Sequence, residues 1–188
     1  GYKFVKCRMI FSIKIEDFRR KAGLVADGLM TDTPKCMTYS SVVARDTVRL
    51  ALLLASLNDL EVKAGDVMNA YVTAPIKEKI WTILGDEHGP DSGKKVIITR
   101  ALYGLKSSGA AFRAHLADCM RHLGYTSCHA DSDLWLKPQN DPNDGFTYYS
   151  YILCYVDDLL IIHESPHKDM DKIKTTYPVA EKSIGPPS

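Results

Sequence analysis

The chain has 188 residues, 45% of them hydrophobic, and a formal net charge of +1. This length suits one domain, or one domain with a small appendage, and a charge so near zero supplies no global field for nucleic acid. No signal peptide and no apolar run long enough to cross a membrane is present.

The charge is unevenly spread. Residues 1–36 carry eight Lys/Arg against four Asp/Glu. Such an excess can face a phosphate backbone, and it can equally protect an exposed strand edge. The five cysteines (Cys7, Cys36, Cys119, Cys128 and Cys154) form no CxxC pair and read as reduced thiols of an intracellular protein. Cys119, His122, Cys128 and His129 are near one another in sequence, but their spacing fits no common zinc module and Cys119 falls on an apolar helix face, so zinc is not expected. The chain begins at Gly1 and ends in Ile184-Gly-Pro-Pro-Ser188, and it reads as a piece of a longer one.

In chain order, residues 3–15 mix β-branched, aromatic and basic residues and predict a strand. A charged turn at 16–21 and a short strand at 24–26 would close a hairpin. Residues 28–40 read as a loop. Ser40 and Ser41 can cap a helix running to about Asn58, whose Val43, Val48, Leu52 and Ala55 predict burial on more than one side. A strand follows at 61–67, bringing Asp66 to its end, then a turn and short segment to Pro75. Residues 80–84 and 96–99 are apolar strands around a turn-rich loop. The glycine-punctuated loop 102–109 leads into a helix with Phe112, Leu116, Cys119 or Met120, and Leu123 on one face, stopped by Gly124. Strands at 133–137 and 147–155 flank a polar loop at 138–145. A hairpin turns at Val156-Asp157-Asp158, and residues 167–177 form a short helix. The order predicts an α+β sandwich, an antiparallel sheet with helices on one face.

Within residues 151–162, Asp157 and Asp158 interrupt an apolar, β-prone run. Two like charges there are costly unless a cation compensates them. A divalent-metal site is one reading, and a surface turn made by Asp-Asp is the other. With Asp66 at a neighbouring strand end, three carboxylates can hold two Mg²⁺ ions about 3.5–4 Å apart. One would activate an attacking hydroxyl and the other would hold a leaving pyrophosphate. The reaction is in-line nucleotidyl transfer, driven by positioning and charge neutralisation.

Tyr155-Val-Asp-Asp158, preceded by Asp66-Val-Met-Asn-Ala-Tyr71 and Arg100-Ala-Leu-Tyr-Gly-Leu-Lys-Ser-Ser-Gly109, resembles the reverse transcriptase domain of Ty1/copia-type LTR retrotransposons. Lys21-Ala-Gly-Leu-Val-Ala-Asp-Gly28, Ser41-Val-Val, Thr47-Val-Arg-Leu, Gly124-Tyr and Ala130-Asp fall in the family's order. The resemblance covers roughly residues 4–185. It implies a single, C-terminally truncated domain, an α+β polymerase palm over residues 41–188 with partial fingers and no thumb. Fingers would comprise residues 1–40 and an insertion around 75–115. It implies that Asp66 and Asp157 are the principal ligands of two Mg²⁺ ions, or Mn²⁺ in their place, with Asp158 as the third carboxylate and the Val67 carbonyl completing a shell. Asn69 and Ala70 would touch the triphosphate. Tyr71 would be a steric gate against a 2′-OH, although without the motif a core aromatic is the simpler reading. Lys106 would border template and nucleotide, and Tyr155 and Val156 would contact the primer end.

The implied partners are an RNA or DNA template with its primer, dNTPs, and the remainder of a Gag-Pol polyprotein including thumb, RNase H and integrase. No membrane partner is implied. The implied setting is a cytoplasmic particle with a later nuclear phase. The sequence departs from the family at Gly23, where Arg is usual, and at Asp27, where Lys or Gly is common; Ser107 and Ala110 differ as they do in one branch. Three readings follow: an RNA-directed DNA polymerase domain; a catalytically decayed remnant retaining the palm fold and weak nucleic-acid binding; and another two-metal enzyme, a nuclease or cyclase. The third predicts no gate, and Tyr71 in register with Asp66 argues against it.

Overall fold

The structure, a computed structural model, describes residues 1–15, 18–28, 38–140, 145 and 147–182. In chain order the elements are β1 (Lys3–Phe4), β2 (Cys7–Ile13), β3 (Arg20–Ala26), α1 (Arg45–Leu57), β4 (Glu61–Val67), α2 (Ala70–Thr73), β5 (Pro75–Ile83), a 3₁₀ helix (Asp86–Asp91), β6 (Lys95–Arg100), α3 (Ser108–His122), β7 (Thr126–Ser127), β8 (Leu134–Asn140), β9 (Thr147–Tyr155), β10 (Asp158–His163), α4 (Pro166–Lys174) and β11 (Val179–Lys182). They form two compact units, residues 1–39 with 71–112, and residues 40–70 with 113–188.

The second unit is built on a six-stranded antiparallel sheet in the order β11-β4-β10-β9-β8-β7. Its middle strands are apolar on both faces: Ile152, Leu153, Leu159, Ile161 and Ile162 are all buried. A sheet of that composition needs cover on both sides, and this corrects the expectation of helices on one face. Ala51 and Ala55 of α1 pack with Leu153 and Ile162. Met170 of α4 lies beside Gly65 and Val179 instead. Gly65 pairs with Leu159, three residues from Ile162, so the two helices cover opposite faces. On the α4 side, Tyr125, just after α3, donates to the buried Asp169 carboxylate at 2.7 Å.

Helix α1 starts later than Ser40 and Ser41 suggest. Its N-cap position is Ala44, with no capping side chain of its own. Asp131 supplies the cap from a distance, accepting from Ala44 N–H at 2.9 Å and from the Thr47 hydroxyl at 2.7 Å. Ser41 donates to Asp133 instead of capping. Nor is α1 buried on more than one side. Ala51 and Ala55, one turn apart, let the helix approach closely, while Leu50, Leu52, Leu53 and Leu57 are exposed.

The first unit holds a three-stranded sheet, β1-β5-β6, and a separate β2–β3 ribbon. Residues 3–15 are therefore two strands and not one. β1 joins β5 in parallel, and the buried Val5 donates to the Trp81 carbonyl at 2.9 Å before the chain crosses to the ribbon. Val5, Ala26, Ile80, Ile98 and Leu105 form this unit's core. The loop expected at 138–145 is shorter at its start, because β8 continues to Asn140. The greater part of the loop expected at 28–40, with Cys36, and the terminal stretch 184–188 lie outside the described residues.

Candidate active site

β9 and β10 form a hairpin in which Tyr155 pairs with Asp158, leaving Val156 and Asp157 as a two-residue turn. Val156 has φ of +56°, an unfavourable conformation for a β-branched residue. Asp157 is not left-handed; one positive φ at the first central position is the type II′ pattern, which suits the twist of a hairpin. The Asp157 carbonyl accepts from Val67 N–H at 2.8 Å, which ties the turn to the end of β4.

Asp66 on β4 and Asp158 on β10 are directly opposite each other. Residues paired in this way project from the same face. Ala180 on β11 pairs with Asp66, so Lys182, two residues further, lies on that face as well. Its ammonium is 3.6 Å from Asp66 Oδ1 and donates a hydrogen bond to Asp158 Oδ1. That bond raises the Lys182 pKa, partial desolvation opposes the rise, and the charges of Asp158 and Asp66 add to it. Two carboxylates thus converge on one positive charge, and each remains partly open to water. Oxygen donors arranged around a cation are what Mg²⁺ or Mn²⁺ requires, so the residues present fit a divalent ion. Among the described residues no three His, Cys, Asp or Glu side chains are grouped to hold one. Asp66 and Asp158 are brought together, while Asp157 stands in the turn beside them in sequence.

The other residues singled out from the sequence are distributed between the units. In the second unit, the Val67 side chain is buried. Asn69 takes a left-handed φ of +54°, which Asn tolerates. Ala70 is buried at the start of α2, and Tyr155 and Val156 are exposed. In the first unit, Tyr71 is half-buried among aromatic rings, 4.6 Å from Tyr103 and 6.2 Å from Phe112 between centroids. Lys106 is half-buried in the turn before α3.

The glycine motifs acquire a physical reason in the first unit. Gly104 has φ of +92° and leaves no room for a Cβ, which would strike the Ala26 carbonyl. Gly28 is closed in the same way by the Gly104 carbonyl. The end of β3 and the 103–105 turn therefore meet backbone to backbone, sealed by Ala26 N–H donating to the Tyr103 carbonyl at 2.8 Å. Ser107 is buried and donates to Glu78. Asp27 holds Arg8 at 3.4 Å. At Gly23 an added Cβ meets nothing within 4 Å.

Lys182 is the residue that sequence reasoning missed. Val179-Ala-Glu-Lys182 carries too little apolar alternation to announce a strand, and its place beside Asp66 depends on pairing across more than a hundred residues.

A family model described as reverse transcriptase (RNA-dependent DNA polymerase) matches residues 1–180. The chain belongs to this reverse transcriptase family. Curated relatives agree. The chain is 28% identical over 173 residues to the retrovirus-related Pol polyprotein from transposon TNT 1-94 of Nicotiana tabacum, covering 86% of this chain and 12% of that protein. It is 26% identical over 190 residues to the retrovirus-related Pol polyprotein from transposon RE1 of Arabidopsis thaliana, covering 94% of this chain and 12% of the relative. A third, from transposon RE2 of the same plant, is 26% identical over 167 residues, 84% of this chain and 11% of the relative. The reverse transcriptase domain is thus of the Ty1/copia type, and it spans about an eighth of the length of the Pol polyproteins it matches.

Proposed function

We propose that the chain is the RNA-directed DNA polymerase domain of a copia-type Pol polyprotein, transferring dNTPs onto a primer 3′-OH. The observation that carries the reading is the register of β4 against β10, which sets Asp66 opposite Asp158 around a single positive charge. Asp66, Asp157 and Asp158, with the Val67 carbonyl, would hold two Mg²⁺ or Mn²⁺ ions. Bound there, such ions supply charge neutralisation to an attacking hydroxyl and a leaving pyrophosphate. The chain's own part is positioning. The hydrogen bond from Val67 to Asp157 fixes the turn against β4. Tyr155 and Val156 offer exposed surface to the primer end. Asn69 and Ala70 present backbone N–H groups to the triphosphate, and Lys106 borders template and nucleotide. The Tyr71 ring, held by Tyr103 and Phe112, would leave no space for a 2′-OH.

The two units support a palm and fingers reading, in which residues 40–70 with 113–188 would be the palm and 1–39 with 71–112 the fingers. Partners are a primed RNA or DNA template, dNTPs and the remaining Pol segments, with activity in cytoplasmic particles ahead of a nuclear phase. Among the described residues no helix is long and apolar enough to cross a membrane.

The test is primer extension on poly(rA)/oligo(dT) with dTTP and Mg²⁺ or Mn²⁺, beside Asp66→Asn and Asp158→Asn. Extension by the wild type, reduced by about three orders of magnitude or more in both variants, is expected where charge stabilisation dominates the barrier. Absence of extension from a folded wild-type chain would assign it to the decayed remnant that keeps the fold.

A further inference from the structure

Lys182 lies outside the residues that the polymerase reading uses, yet its ammonium occupies the space between two of the carboxylates. Its position is well determined by the opposite face of β11. There Glu181 accepts from Lys63 at 2.7 Å and from Lys174. Val179 fits against Gly65, where a Cβ would collide with Val179 and Met170. Strand alternation then sends Lys182 to the Asp66–Asp158 face. The side chain is about half exposed, 48%, so it has an open path into water. Two facing carboxylates repel each other when nothing lies between them. An ammonium compensates them in a metal-free chain and must leave when a divalent cation enters.

We propose that Lys182 is the built-in counter-cation of the Asp66–Asp158 pair and competes with divalent metal for it. The inference rests on the reading of these carboxylates as the metal site. It makes Lys182 a positioning residue with two effects: it holds the pair together without metal, and it weakens metal binding until displaced. Because the ion pairs are partly exposed, the competition is modest.

The test is Mn²⁺ binding to the full 188-residue chain, followed by electron paramagnetic resonance without nucleotide or template, together with melting temperature with and without Mn²⁺. The variants are Lys182→Met, Lys182→Arg, Asp158→Asn and Lys63→Met. The last removes a charge from the opposite face of the same sheet. Lys182→Met is expected to tighten Mn²⁺ binding about three- to tenfold, the scale of a partly exposed ion pair. It should also melt lower than wild type without metal, with the gap closing at saturating Mn²⁺. Lys182→Arg and Lys63→Met should bind like wild type. If Lys182→Met binds Mn²⁺ equally or more weakly, while Asp158→Asn loses it, the counter-cation role is overturned and the metal site stands. Equal tightening by Lys63→Met would also overturn it, since net charge alone would then account for the effect. If the folded wild type and Lys182→Met both fail to bind Mn²⁺, the metal-site reading falls and this inference falls with it.

Discussion

At Val156 a β-branched side chain sits in the left-handed region, a conformation that costs on the order of 1–3 kcal/mol. Glycine adopts it freely. Val156→Gly is therefore expected to raise stability by about 1 kcal/mol, after the extra unfolded-state entropy of glycine is deducted, as read by urea denaturation. If the exposed Val156 side chain also supports the primer end, the same variant extends primers more slowly while melting higher. Gly104 is the reverse case. Its φ of +92° and the Ala26 carbonyl in its path leave no place for a methyl group. Gly104→Ala is expected to cost about 2 kcal/mol or more, measured by the same denaturation. These two turns differ because one has a strained residue with open space around it, and the other has a permissive residue with none.

Helix α1 is fixed by the loop before β8. Asp133 is buried and accepts from Arg113 Nε at 2.8 Å and from the Ser41 hydroxyl, while Asp131 caps the helix start. Asp133→Asn removes the carboxylate that Arg113 bonds directly, and the expected loss is about 2 kcal/mol, below a fully buried pair because Arg113 is a third exposed and keeps the charge of Asp131 nearby. Partial burial pushes the Asp131 carboxyl up, but hydrogen bonds from Thr47, Ala44 and Asp133 and the Arg113 charge outweigh it and hold the pKa below 3.8. A carboxyl lowered on folding stabilises the fold above its ordinary value, and that contribution is lost as pH falls through the lowered one. Acid titration should thus loosen α1 below about pH 4, and Asp131→Asn should flatten this part of the pH dependence, as followed by circular dichroism. The helices and the β9–β10 hairpin were legible because their periodicity is local. The distant cap was not, since Ser40 and Ser41 carry the right side chains at the wrong place. The exposure of Leu52 was not legible, because a leucine-rich helix gives no sign of which face meets the sheet. Helices on both faces of that sheet follow from strands apolar on both sides, a signal present in residues 151–162.

The chain as a whole is nearly neutral, so on the polymerase reading template and nucleotide would be held by local charge. Its N-terminal excess of basic residues is partly spent internally, since Asp27 takes Arg8. On the polymerase reading Gly23 makes the shortfall larger, since the resemblance implies an Arg there. Gly23 pairs with Ile10 in the β2–β3 ribbon, and a Cβ added there meets nothing within 4 Å. Glycine inside a strand also weakens it, so Gly23→Arg should leave the fold intact and melt slightly higher. If the ribbon approaches the triphosphate as the polymerase reading requires, an added guanidinium should form a charge-assisted hydrogen bond worth about 1 kcal/mol at an exposed site. The expected outcome is a dTTP KM lowered about fivefold, with the effect shrinking as salt rises because exposed charges are screened. A KM that stays constant while stability rises would mean that the basic residues of the ribbon guard a strand edge and do not reach nucleotide. A KM that falls equally at low and high salt would point instead to a rearranged ribbon, since screening must weaken any contact made by the guanidinium alone.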